Sequence, residues 1–209
     1  MRQTSRLVAA LALALALVLA LVLLAGCAGG GAAPSFDPSG PCTGDGQRPG
    51  AYPELERLIP AAFEGIAPVR LDSGRNCTDR NLGTLASHGI REVRFAGGLW
   101  ETGERSGFTM AVLVAPELTA ERMADFYEAG ARAGRKTEDV KRSIVELDGR
   151  NAWMISTLND ESYQTIAVWE AGQPGMVRAV LVGSDVRETE GMGPHTDLVE
   201  RAIAAFSRP

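Results

Sequence analysis

The sequence predicts an α+β fold, one antiparallel sheet with helices packed on it. Three observations carry this. In short stretches such as Phe108–Val114, Phe108, Met110, Val112 and Val114 alternate with Thr109, Ala111 and Leu113, the period of a strand with both faces partly covered. Tight-turn sequences, Asp148-Gly149 and Gly172-Gln173-Pro174-Gly175, separate pairs of such stretches. Two longer segments, starting near Thr119 and Thr196, instead repeat apolar residues at helical spacing.

The first residues are not part of that fold. Arg2 and Arg6 precede an unbroken run of Leu, Ala and Val from Leu7 to Leu24. A basic start, an apolar run and small residues at its end describe an export signal. Leu24-Ala25-Gly26-Cys27 resembles the lipobox of bacterial lipoproteins, in which an aliphatic residue and two small residues precede an obligatory cysteine. The resemblance implies a diacylglycerol thioether on Cys27 and cleavage before it by signal peptidase II. Two or more acyl chains at about 0.8 kcal/mol per buried methylene anchor a protein stably. Residues 1–26 are thus read as a lipoprotein signal peptide. Residues 27–50, rich in Gly, Ala, Pro and Ser, are read as a flexible tether, and 51–209 as one domain.

Within the domain, Pro53–Ile59 reads as a short helix with proline at its start. Thr78 is placed to cap a second short helix ending near Gly89. Glu92–Trp100 reads as a strand with Val93, Phe95 and Leu99 on one face, and Gly97-Gly98 suggests a bulge. Phe108–Val114 is the next strand, joined to it by the polar hairpin loop 101–107. Thr119 is a candidate N-cap for the strongest helix, with Leu118 and Met123 as a hydrophobic staple and Gly134 as its stop. Then follow Ile144–Leu147, Ala152–Leu158, Tyr163–Trp169 and Met176–Val182, four strands of a meander. Thr196 can cap a closing helix through Leu198, Val199, Ala202, Ile203 and Phe206. This order of elements from about residue 91 to 207, with a closing helix ending Ala205-Phe206-Ser207, resembles the Mog1/PsbP-like fold. The resemblance implies a non-catalytic binding or accessory role and carries no functional residue with it.

Composition narrows the function. Loss of the leader takes the formal charge from −5 to −7, and no basic run exists, which argues against nucleic acid as a partner. With Cys27 lipidated, Cys42 and Cys77 remain, and an even remainder in an exported chain favours a disulfide between them. The ligands for a metal site at short spacing are missing, and no phosphate-binding or dinucleotide glycine pattern occurs, so no metal or cofactor is expected.

Two functions are open at this level. The first is a membrane-anchored extracytoplasmic module that binds a small ligand, lipid or protein without catalysis, with Trp100, Trp153 and Trp169 as a candidate platform on the sheet. It requires an exposed apolar patch or pocket there. The second is an envelope hydrolase built around Ser87, His88 or His195 with a nearby carboxylate. His195, after Gly191-Met192-Gly193-Pro194, reads as an exposed loop histidine.

Overall fold

The computed structural model describes residues 36–134, 137–147, 149–159, 161–189 and 191–207; the apolar leader and Cys27 lie outside them. The fold is α+β. An eight-stranded antiparallel sheet carries helices on both faces. The strands are β1 (Gly46–Arg48), β2 (Arg70–Asn76), β3 (Val93–Glu101), β4 (Gly107–Val114), β5 (Thr137–Leu147), β6 (Arg150–Asn159), β7 (Ser162–Glu170) and β8 (Met176–Asp185). Their order across the sheet is β1-β2-β3-β4-β8-β7-β6-β5. The last four form the expected meander, and β8 closes it against β4. The helices are α1 (Pro53–Glu56), α2 (Asp79–Leu82), α3 (Thr84–Ser87), α4 (Ala120–Ala133) and α5 (Met192–Ser207). None of the described helices is long and apolar enough to cross a membrane.

Alternation along the strands sends side chains to two separate cores. On one face Ala96, Trp100, Phe108, Met110, Val112, Val180 and Val182 meet α1, the segment after it and α5. On the other, Val93, Leu113, Ile155, Val168, Val177 and Ala179 meet α3 and α4. The α4 boundaries follow the sequence: Thr119 Oγ1 accepts from the Arg122 N–H, and Gly134 follows the last turn. Leu118 and Met123 are each 1% exposed, as a staple requires.

Four features differ from the sequence reading. First, the chain is folded from Phe36, so residues 36–50 are not tether. Arg75, only 4% exposed, donates to the carbonyls of Asp37, Gly40 and Pro41 and lies over the Phe36 ring. Asp45 accepts from the N–H groups of Cys77 and Thr78, the Thr78 hydroxyl and the Asn81 amide. Cys42 and Cys77 are disulfide-bonded, with Cα atoms 5.5 Å apart. These contacts hold β1 beside β2, two strands whose polar sequences show no alternation.

Second, Gly97-Gly98 makes no bulge; the register runs unbroken through both residues. A Cβ on Gly98 would lie 2.8 Å from the Trp100 ring and 2.9 Å from Ile59, so glycine here permits close packing. Third, the expected second helix is two, α2 and α3, divided at Gly83, whose φ is +50°. The Thr78 side chain donates to Asp45 instead of capping a helix. Fourth, α5 begins at Met192, four residues before Thr196, whose hydroxyl bonds back to the Met192 carbonyl. Pro194 is tolerated in that first turn, where no intrahelical N–H bond is lost.

Candidate binding surface

The geometry begins with unequal coverage. Helix α4, with 14 residues, is about 21 Å long, whereas eight strands span about 34 Å at their usual spacing. It packs on β5, β6 and β7, while Leu82 and Leu85 of the short helices α2 and α3 join the core around Val93 and Leu113. Toward the 101–107 hairpin, side chains of this face such as Leu99, Thr109 and Leu181 are half-buried.

Register identifies the side chains there. Leu99 pairs with Thr109, Thr109 with Leu181, and Leu181 with Ile166. Alternation puts all four on the α4 face, and all four are half-buried. The row spans about 14 Å. Below it lies a second row, Gly97, Ala111 and Ala179. Above it Gly107 pairs with Gly183, and a Cβ on Gly183 would meet nothing within 4 Å. Glycine and alanine therefore flank a strip of aliphatic and threonine side chains. Charges frame it in neutral pairs. Arg70 and Asp72 of β2 are 2.6 Å apart at one side, and Arg105 and Asp185 are 3.3 Å apart at the hairpin end. The strip is a half-buried, mostly aliphatic sheet surface with a polar border, able to take an apolar chain or side-chain cluster without burying an unpaired charge.

The tryptophans do not form it. Trp100 and Trp169 are 2% and 1% exposed and belong to the α5 core. Trp100 stacks on Phe108 with ring centres 5.2 Å apart, and Trp169 meets Phe206 edge-on. Trp153 lies on the other face, its ring under the Arg142 guanidinium at 4.0 Å. The platform read from sequence is thus corrected: large aromatics fill cores on both sides of the sheet, and the half-buried strip is mostly aliphatic.

The histidines are also placed apart. His195 is buried, not an exposed loop residue. Its Nε2 lies 2.9 Å from Thr165 Oγ1 and its Nδ1 lies 2.9 Å from Ser184 Oγ, both hydroxyls being buried too. Burial pushes its pKa below the ordinary value and favours the neutral ring. The carboxylate next to Ser184, Asp185, faces Arg105 and accepts from the Arg187 N–H. Ser87 donates to the Thr84 carbonyl at the end of α3. His88 is exposed and lines two open grooves of about 720 and 380 Å³. Their walls mix charges of both signs, with Glu117, Glu121 and Asp125 beside Arg91 and Arg122. No cluster of three potential metal ligands occurs among the described residues. Ser87, His88 and His195 are not brought into one constellation.

Comparison with known proteins adds a structural neighbour to this picture. No protein-family model matches the chain, and no curated protein matches it. Among solved structures, the solution structure of cyanobacterial PsbP (CyanoP) from Synechocystis sp. PCC 6803 is similar over 71% of this chain and 96% of that one, at 11% identity and a TM-score of 0.33. Identity and superposition at this level carry no functional argument from one protein to the other.

Proposed function

We propose that the chain is a lipid-anchored, extracytoplasmic binding module, held by Cys27 on the outer side of a bacterial membrane. It works by binding rather than by chemistry, and the strip Leu99–Thr109–Leu181–Ile166 receives an apolar ligand or the apolar segment of a partner. One observation carries the binding part: Leu99, Thr109, Leu181 and Ile166 form one half-buried row across four strands, bordered by paired charges. Apolar area of that kind marks interaction sites. The anchor rests on the Leu24-Ala25-Gly26-Cys27 sequence.

A photoreactive residue in place of Leu99, in the full chain in its native membrane, tests the surface. The expected result is a discrete adduct, identified by mass spectrometry, that is absent when the photoreactive residue replaces Ile144. Adding Thr109→Arg, which puts a charge in the middle of the strip, abolishes it. Equal labelling from both positions, or labelling indifferent to Thr109→Arg, rejects the surface. Recovery of a chain still starting at Met1 rejects the anchor.

A further inference from the structure

Among the described residues, five large apolar side chains stand exposed, and three of them, Leu58, Ile66 and Val69, lie in the segment between α1 and β2. Ile66 and Val69 are the most exposed, at 63% and 59%. This segment is not loose. Phe63 is buried, 4.7 Å from the Phe108 ring centre. Phe63 and Ile66 exchange both backbone hydrogen bonds around a two-residue turn, Glu64-Gly65, where both φ angles are positive. The Trp100 indole donates to the Ile66 carbonyl at 2.9 Å, and the Val69 N–H bonds the Leu99 carbonyl. The backbone is pinned on both sides of two bare aliphatic side chains.

We propose that this segment seats the domain on a lipid bilayer, with Ile66 and Val69 entering the outer leaflet. The inference rests on the anchoring at Cys27 proposed above. Two further observations choose lipid as the occupant. The first is reach. Phe36 is nine residue steps beyond Cys27, at most about 31 Å of chain. Phe36 lies against Arg75 of β2, five residues along the strand from Arg70, or about 17 Å. An anchored chain can therefore set the segment on the same membrane plane. The second is charge. The chain is acidic overall, yet residues 57–70 hold Arg57, Glu64 and Arg70 and no other charge. The one acid is paired with Arg201 at 2.6 Å, and nearby Asp72 is paired with Arg70. The tip thus presents apolar surface with its carboxylates neutralised, which suits headgroups of either zwitterionic or anionic lipid.

The test uses the full chain, with Cys27 lipidated and Cys42–Cys77 bonded, so that an added cysteine is the one free thiol. An environment-sensitive fluorophore is placed on Ile66→Cys, Val69→Cys or, as a control of similar exposure, Ile144→Cys. In native-lipid vesicles the labels at 66 and 69 emit to the blue of the control. Nitroxide-bearing phosphatidylcholine quenches them several-fold more than the control. Membrane-bound protein whose labels at 66 and 69 are quenched no more than that at 144 overturns the proposal. So does a blue shift without lipid quenching, which identifies a protein partner on the loop instead. If the chain is recovered unanchored, the reading of Cys27 fails separately. The same cysteine variants carrying Cys27→Ser, so that the added cysteine is again the one free thiol, are then labelled and mixed with phosphatidylcholine–phosphatidylglycerol vesicles, where quenching at 66 and 69 upholds the loop assignment and its absence overturns it.

Discussion

His195 Nδ1 sits 2.9 Å from Ser184 Oγ, with both side chains sealed between the first turn of the closing helix and the sheet. A neutral ring fits there, since it can donate to one hydroxyl and accept from the other. Folding therefore depresses the histidine pKa, and the unfolded chain binds the proton more readily. The contribution is complete above the unfolded value near 6.5 and is lost as pH falls below it. Denaturant titrations should show stability flat from pH 8 to 7 and declining toward pH 5.5, by at most about 1.4 kcal/mol per pH unit from this group. His195→Gln should remove that slope; a variant retaining it would show that other groups cause it.

Removing the sulfur bridge should cost stability without erasing the sheet. Cys42 and Cys77 are 35 residues apart, and the chain-entropy model gives about 4 kcal/mol for such a loop. The double serine variant should unfold at lower denaturant by that amount, while far-ultraviolet circular dichroism before the transition stays unchanged.

Asp45 should matter nearly as much. Burial acts to raise its pKa, but four hydrogen bonds outweigh that and hold it below the ordinary carboxylate value. Its stabilisation is therefore present at neutral pH and disappears as pH falls through the acid range below about 4. Asp45→Ala leaves the Cys77 and Thr78 N–H groups without their acceptor, at about 1–3 kcal/mol. Limited proteolysis should then cut within residues 36–50 first, and an uncut segment would contradict its role as the clasp.

Gly98→Ala should be destabilising although the site lies in regular strand. The new methyl meets Trp100 and Ile59 at under 3.0 Å, an overpacking expected to cost about 1–3 kcal/mol. Gly183→Ala, where the added carbon meets nothing within 4 Å, is the matched control and should change stability little. Thermal melts of the two variants decide the point.

What could be read from residues alone was local. The α4 cap at Thr119, the stop at Gly134 and the turns at Gly149 and Gly172–Gly175 are signals within a few residues of the structure they specify. Strands β1 and β2 gave no such signal. Gly46-Gln47-Arg48 and Leu71–Asn76 lack alternation, and they pair because Asp45, Arg75 and the disulfide gather chain 30 and more residues apart. His195 misled because Gly191-Met192-Gly193-Pro194 looks like a helix breaker, whereas the helix begins within it. The half-buried strip was the least legible. Leu99, Leu181 and Ile166 look like any core residues until the strand register puts them in one half-buried row.

The clasp between Cys42 and Cys77 also decides how the protein bears load. Tension applied upstream of Phe36 travels along the backbone to Cys42, crosses two sulfur atoms, and continues from Cys77 toward α2 and β3. The backbone between the two cysteines, with β1, α1, the apolar loop and β2, is bypassed. A pull from the membrane side therefore cannot peel the edge strand away one hydrogen bond at a time. The load passes on from Cys77 to Thr78 while both strands inside the sulfur-closed loop stay seated.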